Sequence, residues 1–174
     1  MKKIYLFCIC AIISTCSLAQ TPTLSFDGVD DYIDLGTDAG SGIRTLECWF
    51  KLDTEVNSTL SQFSSIVIRD TPTEFEELFL CFYPTGITPS LPGHLVFGIN
   101  LQSTSDRIVY SDSNYWEADR WYHVAGVINP VSGMSLYIDG IKQISTESNT
   151  NPSEVSSFTT TVGSWGNVSG RNFA

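Results

Sequence analysis

The chain has 174 residues, 42% of them hydrophobic and 12% aromatic, so it can bury the core of a single domain. This composition excludes general disorder. The formal net charge is −10 at pH 7, from 9 basic and 19 acidic residues. That balance makes nucleic acid and anionic membranes poor partners.

The N-terminus has the pattern of a secretory signal peptide over residues 1–19. Two lysines follow Met1, residues 4–13 are apolar, and residues 17–19 (Ser-Leu-Ala) resemble a cleavage site. No stretch reaches the roughly 20 apolar residues that a transmembrane helix needs, so we expect no membrane insertion. The expected mature domain is residues 20–174, secreted or held at the cell surface.

Cleavage would remove Lys2, Lys3 and three of the five cysteines of the chain. Cys16 lies in a loose lipoprotein box, but Thr15 fits that box poorly, so ordinary cleavage is favoured over lipid attachment. Cys48 and Cys81 remain, each in an apolar run. They are either two buried hydrophobes or, because export permits it, one disulfide, and geometry decides between the two.

The mature domain begins with short extended segments. Residues 23–26 predict a strand that stops at a turn, and residues 32–35 predict a second one with Ile33 and Leu35 on one face. Residues 44–51 predict a half-buried strand with one face toward the core. Leu46, Cys48 and Phe50 share one face of this strand, and Glu47, Trp49 and Lys51 share the other.

The middle of the chain continues this pattern, with strands predicted at residues 62–69, 78–83, 94–101 and 107–110. The acidic stretch 74–77 reads as a solvated loop between two of them. Residues 84–93 contain too many prolines and glycines for regular structure.

Residues 121–144 carry the clearest signal, which is three antiparallel strands in succession. An apolar run at 121–128 is followed by a loop of turn formers and a second run at 134–138. Asp139-Gly140 then predicts a type I′ hairpin turn, because both residues reach positive φ at low cost.

A further strand is predicted at residues 158–163, and no useful helical period appears anywhere. Roughly ten short strands, with turns about 8–12 residues apart, predict an all-β sandwich or jelly roll.

Four blocks in order carry a family resemblance: TLSFDGVDDYIDLG (23–36), TLECWFKLD (45–53), WYHVAGVIN (121–129) and MSLYIDGIKQ (134–143). Together they resemble the concanavalin-A-like, laminin-G-type jelly-roll domains of extracellular proteins. The resemblance implies an all-β, two-sheet antiparallel jelly-roll sandwich with ligand sites in rim loops or on the concave face. It implies no single activity, since such folds include carbohydrate binders, adhesion modules and glycoside hydrolases.

The resemblance also implies a closing strand beside the N-terminal one, and residues 164–174 show no such strand. We therefore expect a C-terminally truncated domain from a larger multidomain chain, with an unpaired edge at residues 24–27 or 32–35.

Catalysis is not expected. A glycosidase on this sandwich needs a positioned carboxylate pair, and the chain has no Glu-x-Asp-x-x-Glu strand motif. A hydrolytic triad is equally unsupported, because His94 and His123 are the only histidines and no Gly-x-Ser-x-Gly elbow exists. His123 is expected to pack within its strand.

Two groups of residues are candidates for binding. Asp27, Asp30 and Asp31 surround a tight turn, where they either bond to the backbone or, as the resemblance adds, hold calcium at the rim. Tyr115 and Trp116 in a polar loop, and Trp165 between glycines, are either rim covers or aromatic platforms for a glycan. Adjacent Tyr115 and Trp116 cannot both face the core if that segment is extended.

The predicted function is a secreted or surface-exposed, non-catalytic module that binds carbohydrate or an extracellular protein through rim loops, with calcium as a possible ligand. The alternative is an accessory, carbohydrate-binding domain of a larger glycan-degrading enzyme.

Overall fold

The computed structural model describes residues 23–37, 42–70, 77–100, 107–148, 159–164 and 173. In these residues the chain forms ten strands and no helix, and so no helix long and apolar enough to cross a membrane. The strands are β1 (Ile33–Asp34), β2 (Thr45–Lys51), β3 (Ser64–Asp70), β4 (Glu77–Phe82), β5 (Leu95–Asn100), β6 (Arg107–Tyr110), β7 (Trp121–Asn129), β8 (Gly133–Ile138), β9 (Ile141–Lys142) and β10 (Thr159–Val162).

The strands form two antiparallel sheets, as a jelly-roll sandwich requires. Sheet A has six strands in the order β1-β10-β3-β4-β5-β6, and sheet B has four in the order β2-β7-β8-β9. The predicted fold class is confirmed.

The predicted hairpins of sheet B are confirmed. Strands β7 and β8 pair from Asn129↔Gly133 to Val124↔Ile138, and β9 returns along β8. Asp139 has φ 50° and Gly140 has φ 78°. Positive φ at both positions is what a type I′ turn needs.

The main core lies between the sheets and is rich in aromatic residues. Phe50 on β2 packs against the rings of Phe82, Trp116, Tyr122 and Phe173 at centroid distances of 5.5–5.9 Å. This cluster holds the alternate residues of β2 and β7 on one side of sheet B and leaves the other side to solvent.

A second apolar cluster covers the outer face of sheet A. Phe79, Cys81 and Tyr83 point there, while Leu80 and Phe82 of the same segment point into the main core. Ile87 and Leu91, from the proline-rich loop, pack on this outer cluster. Sheet A is therefore apolar on both faces, which leaves sheet B as the one with a solvated face.

Of the two alternatives for Cys48 and Cys81, the disulfide is not formed. Cys48 lies opposite Val124 in sheet B, and Cys81 lies opposite Val96 in sheet A, in the outer cluster. Packed sheets are about 10 Å apart, whereas a disulfide needs Cβ atoms about 3.5–4.5 Å apart. Because Cys81 also faces away from sheet B, the two sulfurs cannot meet.

The N-terminal prediction is wrong in part. Residues 23–27 form no strand, although Phe26 packs so closely on Gly163 that a Cβ on this glycine would clash with its ring. Leu35, expected to face inward with Ile33, is 51% exposed. Strand β1 is an edge strand, paired with β10 alone among the described strands, so its side chains are covered from one side.

The acidic stretch at 74–76 lies outside the described residues, and Glu77 begins β4. The predicted closing strand stays a prediction.

Candidate binding surface on sheet B

The outer face of sheet B carries an unusual group of side chains, here called the aromatic face: Glu47, Trp49, Lys51, Trp121 and His123. Opposite residues in an antiparallel ladder share a face, and Trp49 lies opposite His123 while Lys51 lies opposite Trp121. Since Phe50 and Tyr122 point into the core, these neighbours must point outward.

Trp49 and Trp121 are both large exposed hydrophobics, with 65% and 46% of their surface accessible. They are diagonal neighbours across the ladder, and such positions have Cα atoms about 7–8 Å apart. Two exposed indoles side by side on a sheet form a platform for a flat, partly apolar ligand.

Trp49 is held in place by His123 on the neighbouring strand β7. Its ring lies 4.9 Å from that of His123, at an angle of 45°. His123 Nε2 is 2.8 Å from Glu47 Oε1, so the carboxylate fixes the imidazole, and the imidazole supports the indole.

His123 is anchored in turn at the β8–β9 turn. Its backbone N–H donates to Asp139 Oδ1 at 2.9 Å, and the N–H of Asp139 donates to the His123 carbonyl at 2.8 Å. Arg120 donates to Asp139 Oδ2 at 3.2 Å and lies 4.7 Å from the centre of the Tyr122 ring. The aromatic face is therefore preorganised by the hairpin.

Charge on the aromatic face is mostly negative or neutralised. Lys51 Nζ donates to Asp119 Oδ1 at 3.2 Å, beside Trp121. Glu47 stays largely exposed, with 61% of its side chain accessible. The surface offers carboxylate acceptors and one paired ammonium group.

A cavity of about 930 Å³ adjoins this surface at the β2 edge of sheet B. Trp49, Trp121 and Lys51 line it from the outer face, and Phe50 and Ile66 line it from the core side. Cys48 lies on its wall, where burial, and secondarily the charge of Glu47, raises the pKa of the thiol to about 12. The thiol is therefore protonated and unreactive at neutral pH.

Trp116 is not a surface platform, so of its two expected roles, a rim cover or a glycan platform, the platform is wrong. It is 2% exposed, and its ring contacts Phe82 and Tyr122 at 5.3 and 4.9 Å. Its Nε1–H donates to the Gly93 carbonyl at 3.0 Å, which satisfies the indole inside the core. A backbone bridge to Val56 fixes this position.

Tyr115 points the other way and is 52% exposed, as expected for one of two adjacent aromatics. Its hydroxyl donates to Glu55 Oε2 at 3.1 Å, and this hydrogen bond raises the pKa of Tyr115. A rim site at Tyr115 stays a prediction. Trp165 lies outside the described residues.

The three aspartates lie together at the predicted turn. Each offers a carboxylate oxygen, and these atoms lie within 4.8 Å of one another. Asp27 Oδ1 accepts the N–H of Val29 at 2.8 Å, and Asp31 Oδ2 accepts that of Asp27 at 3.0 Å. These turn bonds use one oxygen of Asp27 and one of Asp31. Each of the three carboxylates can still offer one oxygen, a donor set that fits calcium but falls short of its usual six to eight.

Sequence reasoning alone did not assemble the aromatic face. The alternation in residues 44–51 already put Trp49 and Lys51 on the face opposite Phe50. The missing step was the β2–β7 register, which brings Trp121 and His123 beside them.

A family model for laminin-G-type domains, described as the concanavalin A-like lectin/glucanases superfamily, matches residues 27–174. No curated protein is matched in a sequence comparison.

Several solved structures align with this chain. The LG4-5 domains of the mouse laminin alpha1 chain align with a TM-score of 0.47 and 15% identity, over 89% of this chain and 41% of that one. A heptameric SAP-like pentraxin from Limulus polyphemus aligns with a TM-score of 0.45 and 16% identity, over 86% of this chain and 74% of that one. The binding domain of botulinum neurotoxin DC, in complex with rat synaptotagmin II, aligns with a TM-score of 0.47 and 14% identity, over 71% of this chain and 28% of that one. The chain thus spans less than half of the laminin and neurotoxin structures.

Proposed function

Since the chain belongs to the concanavalin A-like lectin/glucanases superfamily through a laminin-G-type domain over residues 27–174, we propose that it is a non-catalytic module that binds carbohydrate through its aromatic face. The observation that carries the proposal is the pair of exposed indoles, Trp49 and Trp121, on one solvated sheet face.

The chemistry of sugars explains the choice. A pyranose ring has an apolar C–H face, which stacks on an indole, and a rim of hydroxyls, which need hydrogen-bond partners. Glu47 supplies acceptors and Lys51 supplies donors next to the two rings. This chemistry supports a site on the face of sheet B, whereas the sequence suggested the rim loops.

The test is binding of the full chain to a panel of immobilised glycans. Trp49→Ala should weaken binding of any retained glycan by about 1–3 kcal/mol, as expected for loss of one large aromatic contact. Tyr115→Ala is the matched control, because it removes an exposed aromatic from the rim. Loss of binding in Tyr115→Ala with Trp49→Ala unchanged would place the site in the rim loops.

Hydrolysis is no part of this proposal. Incubation of the wild type with each retained glycan should release no shorter product, and turnover of any of them would contradict a purely binding role.

We also propose that the protein acts outside the cytoplasm, on the strength of the signal-like pattern in residues 1–19. Expression with the natural N-terminus should yield an exported protein that begins at Gln20. Retention of residues 1–19 in a cytoplasmic product would contradict this.

A further inference from the structure

We infer that the ligand of the aromatic face is an uncharged oligosaccharide of at least two sugar units, and neither a single sugar nor an acidic or sulfated glycan. This inference rests on the proposed carbohydrate-binding function and names the class of ligand.

The length follows from the two indoles. Trp49 and Trp121 occupy diagonal positions on neighbouring strands, with Cα atoms about 7–8 Å apart. One pyranose ring covers one indole, so both are used only when neighbouring units of one chain stack on them. Such a chain would run obliquely across β2 and β7.

The rigidity of Trp49 strengthens this argument. Its ring is supported by His123, which is held by Glu47 and Asp139. A platform that is already ordered loses little conformational entropy when the ligand arrives. Both units of a disaccharide can therefore contribute to affinity.

The lack of charge follows from the ion pairs. Lys51 is paired with Asp119, the imidazole of His123 lies against Glu47, and Asp53 adds a carboxylate to the cavity wall. To pair with Lys51, a sulfate or carboxylate ligand would have to displace Asp119. It would also be repelled by the carboxylates of Glu47 and Asp53. The chain as a whole has a net charge of −10, so it repels polyanions as they approach.

The experiment uses the full chain and three sets of probes. The first set is neutral gluco-, xylo-, manno- and galacto-oligosaccharides of two to six units, the second is their monosaccharides, and the third is oligogalacturonates and heparin fragments of matched length. Affinity is measured by titration calorimetry at low and high salt, with quenching of tryptophan fluorescence as a second readout.

At least one neutral oligosaccharide should bind about tenfold or more tightly than its own monosaccharide, the gain from one further stacking contact. Its affinity should change less than about twofold with salt, because no exposed ion pair forms. Trp49→Ala and Trp121→Ala should each reduce the advantage over the monosaccharide, while Tyr32→Ala, an exposed aromatic outside the cavity lining, should not.

Equal affinity for the monosaccharide, or tighter and salt-sensitive binding of an anionic glycan, would overturn this inference and leave the proposed function standing. No binding to any probe, or binding that both tryptophan variants leave unchanged, would overturn the proposed function itself. Thermal melting of each variant shows that it is folded, and the two tryptophans are tested separately so that one misfolded variant does not decide the outcome.

Discussion

Trp49 and His123 face each other across the β2–β7 ladder, with ring centroids 4.9 Å apart and ring planes inclined by 45°. The imidazole also meets Glu47 at 2.8 Å, so the three side chains form one supported group on a solvated face. An exposed tryptophan in this setting is fixed in place by its cross-strand partner, which is the condition that a stacking platform needs.

We predict a measurable coupling between these two rings. In a double-mutant cycle with Trp49→Ala and His123→Ala, the coupling in the free energy of unfolding should be about 0.5–1 kcal/mol, typical of an aromatic cross-strand pair. Chemical denaturation measures it. Trp49→Ala with Val131→Ala, at a 94% exposed loop position, should be additive. No coupling in the first cycle would mean that His123 does not support the indole.

Trp116→Ala should destabilise the protein by about 3–5 kcal/mol, because a buried aromatic leaves a cavity and the Gly93 carbonyl loses its donor. Denaturant unfolding measures the change. Trp121→Ala removes the same side chain from the surface and should cost about 1 kcal/mol or less. Similar costs for the two variants would contradict the burial of Trp116.

Gly126→Ala should destabilise by about 1–3 kcal/mol through overpacking. A Cβ there would lie 2.5 Å from two ring atoms of the buried Phe97, on the core side of β7. Ala125→Ser changes the adjacent residue on the outer face and should stay within about 0.5 kcal/mol of wild type. Thermal melting compares both variants, and a neutral Gly126→Ala would show that the sheets pack less closely.

Cys48 should resist alkylation in the native state. Its pKa is raised from 9.0 to about 12, so at pH 8 its thiolate fraction is about a thousandfold lower than in the unfolded chain. Iodoacetamide labelling with mass spectrometry, native against denatured, measures this at Cys48 itself. Rapid native labelling would show that the thiol is open to solvent.

The same shift has a consequence for stability against pH. Because the folded pKa is the higher one, the contribution of the protonated thiol is complete below about pH 9 and is lost as the pH rises from 9 toward 12. The difference in unfolding free energy between wild type and Cys48→Ala should therefore change above pH 9 and stay constant below it.

Calcium binding at Asp27, Asp30 and Asp31 remains a prediction, and the increase in folding stability that it would cause can be calculated. An ion bound with the roughly 10⁻⁴–10⁻³ M dissociation constant of extracellular modules would stabilise the fold by about 0.4–1.4 kcal/mol at 1 mM calcium. Thermal melting with and without calcium measures this in the wild type and in Asp27→Asn/Asp30→Asn, where the amide oxygen can still accept the turn bonds. Equal shifts in both proteins would remove these residues from any site.

Local patterns were sufficient where one segment decides its own conformation. Asp139-Gly140 predicts a type I′ turn because few residue pairs tolerate positive φ twice, and the structure has that turn. The alternation in β2 likewise predicted which side chains share a face, because the period of a strand is two. The all-β class followed from many such segments together.

Contacts between distant segments were not readable in this way. Alternation showed that Tyr115 and Trp116 face opposite ways. Only the bridge to Val56 and the Gly93 carbonyl, which accepts the indole N–H, decide that the tryptophan is the buried one. In the same manner, Cys48 and Cys81 look alike in sequence, and only their positions on different sheets and faces rule out a bond.

The candidate binding surface shows the same division. Amino-acid sequence by itself determined that Trp49 lies opposite in direction to Phe50, since neighbouring residues of a strand point to opposite faces. The tertiary structure decided that Trp121 and His123 lie beside Trp49, because packing in the core sets the register of β2 on β7. That packing joins Phe50 to Tyr122 and Val124, which lie about 70 residues further along the chain. A pattern within one strand carries no information about that register. The candidate binding surface exists only once β2 and β7 have paired in that register.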